Sequence, residues 1–373
     1  MPEKLLIILS DSLKDIIRKG ELIHRYYNPA NTFKEIHFLL INQKKISIKE
    51  IQFMSGKAIC HIHYVKISFL KKFFLLFFNK FSDLKIIKII ENINPKIIRC
   101  YNINIAVFLA YFFFHKSKIN YIISLHYDLW NYIMIKSIFF RAFFFIFISQ
   151  KLNKVLRKSF VLLPVYNSAV LYLKKYQINN YKIQYNFINT PKKKLKKSES
   201  FFNLLCLKRQ NLEMNPVNII YAVKDLKNVR LTLIGDGTLH SGLVSLVKKL
   251  KIKNKVKFYK KKNNLHILKN IKKYDATIFS VKNAEFSKGM IESMSAGIPI
   301  IINTTSPRTS ELNNKFCLFN DGTVNGYKLS IIKLMNNNLL LKKLSFNALK
   351  IYKKKYSSNL LENKQSKIYK RSF

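Results

Sequence analysis

The chain has 373 residues, 49% of them hydrophobic, so it is long enough for two domains with substantial cores. Its 67 lysines and arginines against 19 acidic residues give a formal net charge of +48, which favours nucleic acid or an anionic membrane as a partner. The lysines are spread over the whole chain together with many isoleucines, asparagines and aromatic residues, so a compositional bias of the genome is a competing explanation. Because no basic stripe or binding motif is evident, we predict no nucleic-acid partner.

The first half of the chain alternates short apolar runs with helical patterns. The runs predict strands at 4–10, 35–42, 60–67, 96–102 and 119–126. Strands that alternate with helices indicate βαβ units and a parallel sheet. The nearly continuous apolar character of the runs is typical of strands that are covered on both faces. We therefore predict an N-terminal Rossmann-like domain over residues 1–188.

A basic segment over 189–201, with serines and Pro191, lacks an apolar stripe and is typical of a linker. The alternation then restarts, and the predicted strands are FFNLLCLK, VRLTLIG, KVKFY, DATIFS and PIIIN. These indicate a second Rossmann-like domain over 202–340, followed by a helical tail over 341–373. The predicted fold is α/β, with two Rossmann-like domains facing a cleft, and ligands bind beyond the carboxyl ends of the strands in such sheets.

Two very apolar segments, 103–115 and 137–149, are each about 13 residues long, whereas a membrane span needs about 20. The N-terminal sequence becomes polar after a short apolar run, which is not typical of a signal peptide. We therefore expect a cytoplasmic protein, with peripheral attachment to the inner face of the cell membrane as an option. Phe112, Phe113 and Phe114, with lysines around them, would suit contact with a lipid or a membrane surface, and a buried helix is the equal alternative.

The four cysteines lie far apart and form no zinc-binding spacing, which favours free thiols in a reducing compartment. His61 and His63 share one face of a predicted strand, but the sequence places no carboxylate near them. We therefore predict no metal site and no cofactor.

Residues 285–303, EFSKGMIESMSAGIPIIIN, hold two of the nine glycines beside two glutamates and a lysine. The start of a predicted helix consists of Ser287, Lys288, Gly289 and Met290. The unpaired N–H groups and the positive dipole end of a helix suit a phosphate there. Glu292, about one turn further on, suits the paired hydroxyls of a sugar. An ordinary capped amphipathic helix is the alternative.

The segment LTLIGDGTLH at 231–240 places Gly235 and Gly237 in a turn between a predicted strand and a predicted helix. Glycines there would let the backbone approach a ligand closely. No third glycine completes the dinucleotide-binding fingerprint. A ligand-binding loop and an ordinary tight turn both fit this pattern.

Taken in order, these segments resemble the group-one (family four) glycosyltransferases of the GT-B fold. LCLKRQNLEMNPVNIIYAV is similar to the family's arginine loop, LTLIGDGTLHSGLVSLVKKL to its glycine turn, and the segment ending at Glu311 to its acidic donor-sugar motif. The resemblance covers residues from about 203 to 357, and a looser one in the first half rests on KGELIHRYYNP, which contains Gly20 and Glu21, and on ISLH, which ends at His126. It implies transfer of a sugar from a nucleotide-sugar donor to a glycan, lipid-linked or other cell-envelope acceptor, with retention of configuration and without a metal.

The resemblance also implies roles for single residues. Arg209 would neutralise the leaving diphosphate, Glu285 would contact the transferred sugar, and His126 takes the place of an active-site histidine. The donor-binding residues would be Gly20, Gly235, Gly237, Ser287, Lys288, Gly289, Met290 and Glu292. The C-terminal tail would pack back toward the first domain.

Three positions depart from the family's pattern. Six residues rather than seven lie between Glu285 and Glu292, so strict counting puts Ala284 in the place of the first glutamate. Either a deletion has moved Glu285 in, or the sugar contact is altered. Met214 stands where the family has a lysine, and Lys208 where it has a glycine before the arginine. These departures leave an alternative function: a catalytically decayed GT-B protein that binds nucleotide or anionic lipid without transfer.

Overall fold

The computed structural model describes residues 3–18, 21–126, 141–191, 200–260, 262–282, 285–304 and 309–372, with the backbone alone over 141–148. Most of the predicted linker and part of the apolar segment 137–149 therefore lie outside the described residues. The chain divides into two compact units: the first comprises Met1–Arg18, Leu22–Tyr185 and Asn359–Phe373, and the second comprises Lys19–Glu21 and Asn186–Ser358. The predicted tail is thus divided at Ser358, because 341–358 belongs to the second unit.

The first unit is built on a six-stranded parallel sheet in the order β3-β2-β1-β4-β5-β6. Its strands are β1 (Lys4–Leu9), β2 (Glu35–Ile41), β3 (Ile59–Val65), β4 (Ile97–Tyr101), β5 (Asn120–Leu125) and β6 (Val161–Pro164). Its helices within the described residues are α1 (Leu13–Arg18), α2 (Ile48–Ser55), α3 (Phe69–Phe78), α4 (Leu84–Ile93), α5 (Ile105–Ser117), α6 (Arg141–Lys158) and α7 (Leu171–Lys175).

Helix α4 shows how the local sequence fixes these elements. The side chain of Asp83 accepts a hydrogen bond from the N–H of Ile86 and caps the helix, which is the usual role of aspartate at this position. Isoleucines spaced three and four residues apart form the face that is buried in the core, including Ile86, Ile90 and Ile93. The helix ends at Asn94, whose left-handed φ of 46° few residues other than glycine and asparagine adopt readily.

Helix α5 packs in the core, which agrees with the buried-helix alternative for the segment 103–115. Phe113 is fully buried, and Phe112 and Phe114 pack partly buried against the same core. Among the described residues, no helix combines the length and the apolar character that crossing a membrane requires.

Helix α3 instead carries apolar side chains on its solvent-exposed face. Its sequence, FLKKFFLLFF, buries Leu75 completely. Its exposed apolar side chains are Phe69, Leu70, Phe73, Phe74 and Phe78. Lys66 and Lys80 are exposed just before and just after the helix.

The second unit is built on another six-stranded parallel sheet, in the order β12-β11-β10-β7-β8-β9. Its strands are β7 (Phe202–Leu207), β8 (Val229–Ile234), β9 (Val256–Tyr259), β10 (Ala276–Phe279), β11 (Ile300–Asn303) and β12 (Cys317–Asn320). The remaining helices are α8 (Val217–Lys224), α9 (His240–Lys249), α10 (Asn264–Asn270), α11 (Lys288–Ser295), α12 (Val324–Asn336), α13 (Asn338–Lys355) and α14 (Ser358–Lys370). All but the first residue of α14 belongs to the first unit, where Tyr369 packs against Phe33.

Each sheet has one topological switch point, where the order in which successive strands are added reverses. In the first unit β1 pairs with β2 on one side and with β4 on the other, and in the second unit β7 lies likewise between β8 and β10. In open α/β sheets, ligands bind beyond the carboxyl ends of the strands at such a point. The predicted α/β class with two Rossmann-like domains is confirmed, and the ends of β1 and β7 are the places to look for a site.

Candidate functional site

Three loops leave the carboxyl ends of neighbouring strands in the second unit. Lys208 and Arg209 follow β7 directly, and Gly235 follows β8 directly. Glu285 lies in the segment between β10 and α11. Because β10, β7 and β8 are adjacent in the sheet, the segments that contain Glu285, Arg209 and Gly235 all start at the same edge of the sheet. Sequence analysis linked these segments only through a family resemblance.

The glycine turn is held against the arginine loop by backbone contacts. A Cβ at Gly235 would lie 1.9 Å from the carbonyl oxygen of Lys208, and one at Gly237 would lie 2.3 Å from that of Gln210. The N–H of Gln210 donates to the carbonyl of Asp236 at 3.1 Å. Protein backbone therefore occupies the space that a side chain at either glycine would need, and the turn acts by positioning the arginine loop.

Gln210 anchors this loop from inside the protein. It is buried; its Nε2 donates to the carbonyl of Gly235 at 2.8 Å, and its Oε1 lies 2.7 Å from Nδ1 of His240. The neighbouring Arg209 is exposed and has no recorded hydrogen bond or ion pair within the described part of the chain. A fixed backbone thus presents a guanidinium group that is available to a ligand. Gln210 and His240 were not identified from the sequence, although Gln210 adjoins the predicted arginine.

Lys208 and Glu285 form an ion pair. Nζ of Lys208 donates to Oε2 of Glu285 at 2.7 Å, and only 7% of the lysine side chain is exposed, against 29% of the glutamate. Both residues are departures from the pattern of the family that the sequence resembles. The structure brings the two departures into direct contact.

The N-terminus of α11 lies against the end of β7. A Cβ at Gly289 would lie 3.2 Å from both the Cβ and the carbonyl oxygen of Leu207, so the glycine permits this close approach. The first-turn N–H groups of a helix have no partner within the helix and carry its positive dipole end. The helix therefore directs partial positive charge to the edge of the sheet from which Arg209 leaves.

Ser287 lies at the N-cap position of α11 but does not cap the helix with its side chain. Its backbone is extended, with φ −81° and ψ 161°, but its hydroxyl caps no N–H group. That hydroxyl is buried and has no hydrogen-bond partner among the described residues, which costs about 1–3 kcal/mol. The N–H of Met290 donates to the carbonyl of Ser287 at 3.1 Å, and the Met290 side chain is fully buried. Met290 thus contributes to the core, while the Ser287 hydroxyl is an unsatisfied polar group at the helix start.

Glu292 is a buried carboxyl one turn into α11. Nδ2 of Asn264, the first residue of α10, donates to its Oε1 at 2.7 Å. Burial raises the pKa of Glu292 to about 7, and the hydrogen bond from Asn264 and the charge of Lys288 only partly oppose this effect. At neutral pH the group can therefore either donate or accept a hydrogen bond.

Lys288 is already engaged in an ion pair. Its Nζ donates to Oε2 of Glu21 at 3.0 Å, and Glu21 is grouped with the second unit. About a third of each side chain is exposed, so solvent weakens the pair. Gly20, beside Glu21, lies outside the described residues, as does Ala284 beside Glu285.

His126 follows β5 in the first unit. Its N–H donates to Oδ1 of Asn102 at 3.2 Å, and Nδ2 of Asn102 donates to Oδ2 of Asp11 at 3.3 Å. Asn102 follows β4 and has a left-handed φ of 59°. Sequence analysis identified neither Asn102, the last residue of one predicted strand, nor Asp11, which directly follows another; together they fix the backbone at His126.

Comparisons with known proteins bear on the family and on the fold. Residues 187–351 match the family model described as glycosyl transferases group 1. No curated protein matches the sequence.

Solved structures match the chain over nearly its whole length. HepE from Anabaena, solved with UDP and glucose, is 12% identical over 99% of both chains, with a TM-score of 0.72. Sucrose-phosphate synthase from Thermosynechococcus elongatus is 10% identical over 99% of this chain and 98% of its own, with a TM-score of 0.73. WaaG, a glycosyltransferase involved in lipopolysaccharide biosynthesis, is 11% identical over 98% and 99%, with a TM-score of 0.66. At these identities the likeness establishes the fold, which is GT-B. The chain thus has the GT-B fold, and residues 187–351 of its second unit are similar to the group 1 glycosyl transferases.

Proposed function

We propose that the chain transfers a sugar from a nucleotide-sugar donor to a glycan, lipid-linked or other cell-envelope acceptor, with retention of the anomeric configuration. The observation that carries this proposal is the meeting of the arginine loop, the Lys208–Glu285 pair and the start of α11 at the end of β7. A uridine nucleotide is the first donor to test, because HepE was solved with UDP and glucose. A lipid-linked acceptor is suggested by WaaG, which is involved in lipopolysaccharide biosynthesis.

The chemistry requires positive charge where the diphosphate leaves. The bond between the anomeric carbon and the diphosphate oxygen breaks, the electron pair stays on the diphosphate, and the oxygen of an acceptor hydroxyl bonds to the carbon while its proton passes to the departing diphosphate oxygen. Retention means that this oxygen enters on the face from which the diphosphate departs. Arg209 and the N–H groups at the start of α11 would stabilise the charge that develops on the diphosphate. The buried Ser287 hydroxyl would donate a hydrogen bond to the same group.

Lys208 would supply the second cation of the site. The family that the sequence resembles has a lysine at the position of Met214, so one positive charge is missing there. Lys208 contributes a charge at the end of β7, and its pair with Glu285 fixes both side chains at one edge of the sheet. On this view Lys208 compensates for the lysine that is missing at Met214, and the site remains competent.

The same pair also supports the second candidate, a decayed protein that binds nucleotide or anionic lipid without transfer. If Lys208 holds Glu285 permanently, then Glu285 is not available to a donor sugar. The two candidates differ in one outcome. An active site releases nucleoside diphosphate only when an acceptor or water takes the sugar, whereas a decayed site binds the donor and leaves it intact.

We further propose that the protein is cytoplasmic and attaches peripherally to the inner face of the cell membrane through α3. Phenylalanines with exposed rings suit the boundary between headgroups and acyl chains. Exposed lysines at both ends of the helix suit anionic headgroups, and the net charge of +48 adds long-range attraction. Such binding would bring the chain to a lipid-linked acceptor.

A donor panel tests the function directly. Purified protein is incubated with each of several UDP-, GDP- and ADP-sugars, and two signals are read: the shift in thermal unfolding and the release of nucleoside diphosphate. The proposal expects one donor class to give both signals. A thermal shift without release, with every donor and with membrane lipid extracts as acceptors, would support the decayed protein instead.

A further inference from the structure

Four titratable side chains gather on β2 and β3: Glu35, His37 and His61 lie in the amino-terminal halves of these strands, and His63 lies further along β3. The parallel register places His37 opposite His61 and Leu39 opposite His63. Alternation along a strand puts Glu35 and His37 on one face of the sheet, and His61 and His63 on one face as well. The register between two strands thus supplies the carboxylate that the sequence near His61 lacks.

The side chains of Glu35, His37 and His61 converge on one point. Oε1 of Glu35 lies 2.8 Å from Nε2 of His37 and 3.2 Å from Nε2 of His61. The two imidazole rings stack with their centroids 4.5 Å apart and an angle of 14° between their planes. All three ligand atoms lie within 4.8 Å of one another. In a tetrahedral zinc site with bonds of about 2.0–2.2 Å, ligand atoms are roughly 3.3–3.6 Å apart, so only small movements separate this cluster from a coordination sphere.

A second layer of contacts orients these ligands. Nδ1 of His37 lies 3.0 Å from Nε2 of His63, and Nζ of Lys4 lies 3.9 Å from Oε2 of Glu35. Metal-binding histidines usually donate their other ring N–H to a neighbouring acceptor, which fixes the tautomer. With its Nδ1 proton donated to His63, His37 would present the Nε2 lone pair toward Glu35 and His61. Lys4 approaches the carboxylate oxygen that faces away from the histidines.

Burial and exposure suit a bound cation. His37 is buried, and its imidazole lies between Glu35 and His63, within hydrogen-bond distance of both. The side chain of His61 is 43% exposed, which leaves a path for an ion and room for a water as a further ligand. Two imidazoles and one carboxylate suit zinc and related transition metals better than magnesium or calcium.

We propose that Glu35, His37 and His61 bind a divalent transition-metal ion of the zinc type, with His63 positioning His37. β3 is the edge strand of its sheet, so the ion would fasten this strand to β2. Because the site lies in the amino-terminal halves of the strands, it would stabilise the unit without taking part in sugar transfer. The proposal is therefore independent of the proposed function.

Calorimetric titration with zinc chloride tests the proposal on the full chain, purified without a histidine tag and freed of metal with a chelator. We expect binding of one zinc ion per chain to this cluster and a rise of several degrees in Tm, with no effect of magnesium. Glu35→Gln and His61→Ala should abolish that binding event, and His63→Ala should weaken it about 10- to 100-fold. His115→Ala is the matched control, because His115 is an exposed histidine of the same unit outside the cluster.

Circular dichroism of each variant without metal separates lost binding from lost folding, and the exposed His61 is the substitution least able to unfold the chain. Failure of the wild-type chain to bind zinc would overturn the proposal. Zinc binding that is equally tight in folded His61→Ala, in folded Glu35→Gln and in the wild type would overturn it as well.

Discussion

Nζ of Lys208 lies 2.7 Å from Oε2 of Glu285, although 77 residues separate the two in the chain. The contact exists because β7 and β10 are neighbours in the sheet, so the segments that follow them start from the same edge. Two positions that depart from the pattern of the resembled family thus form one feature of the candidate site.

Lys208→Met should weaken donor binding or turnover by about 1.5–3 kcal/mol, or roughly 10- to 100-fold, because a charge-assisted hydrogen bond is lost and Glu285 loses its partner. Adding Met214→Lys to this variant should restore part of the loss, since the new lysine would supply positive charge to the same diphosphate. Steady-state kinetics with the accepted donor measures both effects. Lys257→Met, at an exposed lysine of β9, is the control. Equal kinetics for Lys208→Met and the control would exclude a role for Lys208 in the site.

Gly235→Ala should destabilise the second unit by about 1–3 kcal/mol, because the new Cβ would lie 1.9 Å from the carbonyl oxygen of Lys208 and must displace the arginine loop. Turnover should fall further than stability alone explains. Gly242→Ala is the matched control: no atom lies within 4 Å of its added Cβ, and alanine within a helix gains about 0.5–1 kcal/mol. Denaturant unfolding compares the two, and a neutral Gly235→Ala would contradict the positioning role of the turn.

Glu292 should make stability and donor binding depend on pH in opposite directions. Burial raises its folded pKa to about 7 from 4.5, so the folded protein binds the proton more tightly than the unfolded chain does. Its contribution to the free energy of unfolding therefore falls as pH rises from about 4.5 to 7. Glu292→Gln should remove this decline, so that the variant gains stability relative to wild type with rising pH.

Donor binding should respond to the same group. If the ionised carboxylate accepts hydrogen bonds from the ribose hydroxyls, then donor affinity should rise with pH through about 7, and it should not do so in Glu292→Gln. Calorimetric titration of the donor between pH 6 and 8 checks this. A parallel pH profile in wild type and Glu292→Gln would show that Glu292 does not contact the donor.

Membrane attachment should depend on the exposed face of α3. Replacing Phe74 and Phe78 by serine should reduce binding to vesicles that contain anionic lipid, and high salt should release the wild-type chain, because its lysines contribute much of the attraction. Phe346→Ser is the control, since Phe346 is an exposed phenylalanine of α13 in the second unit. Flotation measures binding, and retention through high salt and carbonate would argue for insertion instead of surface attachment.

Sequence periodicity predicted the architecture well where strands are long and buried on both faces. It missed β6 and β12, which are four residues long, lie at sheet edges and carry Pro164 or a polar end. Apolar composition alone did not distinguish a surface helix from a buried one: it left both open for the phenylalanines of α5, which pack against the core, and it did not point to the exposed aromatic face of α3. Hydrophobicity does not reveal which helix the remaining chain leaves uncovered.

The candidate site was predictable only in part. The glycine turn and the start of α11 carry local signals, so their positions could be predicted from the chain itself. The contacts that hold the candidate site together join distant segments: Lys208 with Glu285, and Gln210 with His240. The contact of Glu35 with His61, in the separate cluster on β2 and β3, also joins distant segments. Such pairs follow from strand order and register, which a single sequence does not specify.

Release of nucleoside diphosphate by wild type, Arg209→Ala and Arg230→Ala, with the donor selected from the panel, tests the central claim most directly. Arg209→Ala should lose about 2.7–4 kcal/mol of transition-state stabilisation, or roughly 100- to 1000-fold in turnover, as removal of one oxyanion donor typically does. Thermal stability should not change, because Arg209 is exposed. Arg230 is also exposed, lies over the ring of Phe201 and should be replaceable without loss of turnover. Unchanged turnover in Arg209→Ala would contradict the assignment of the donor site.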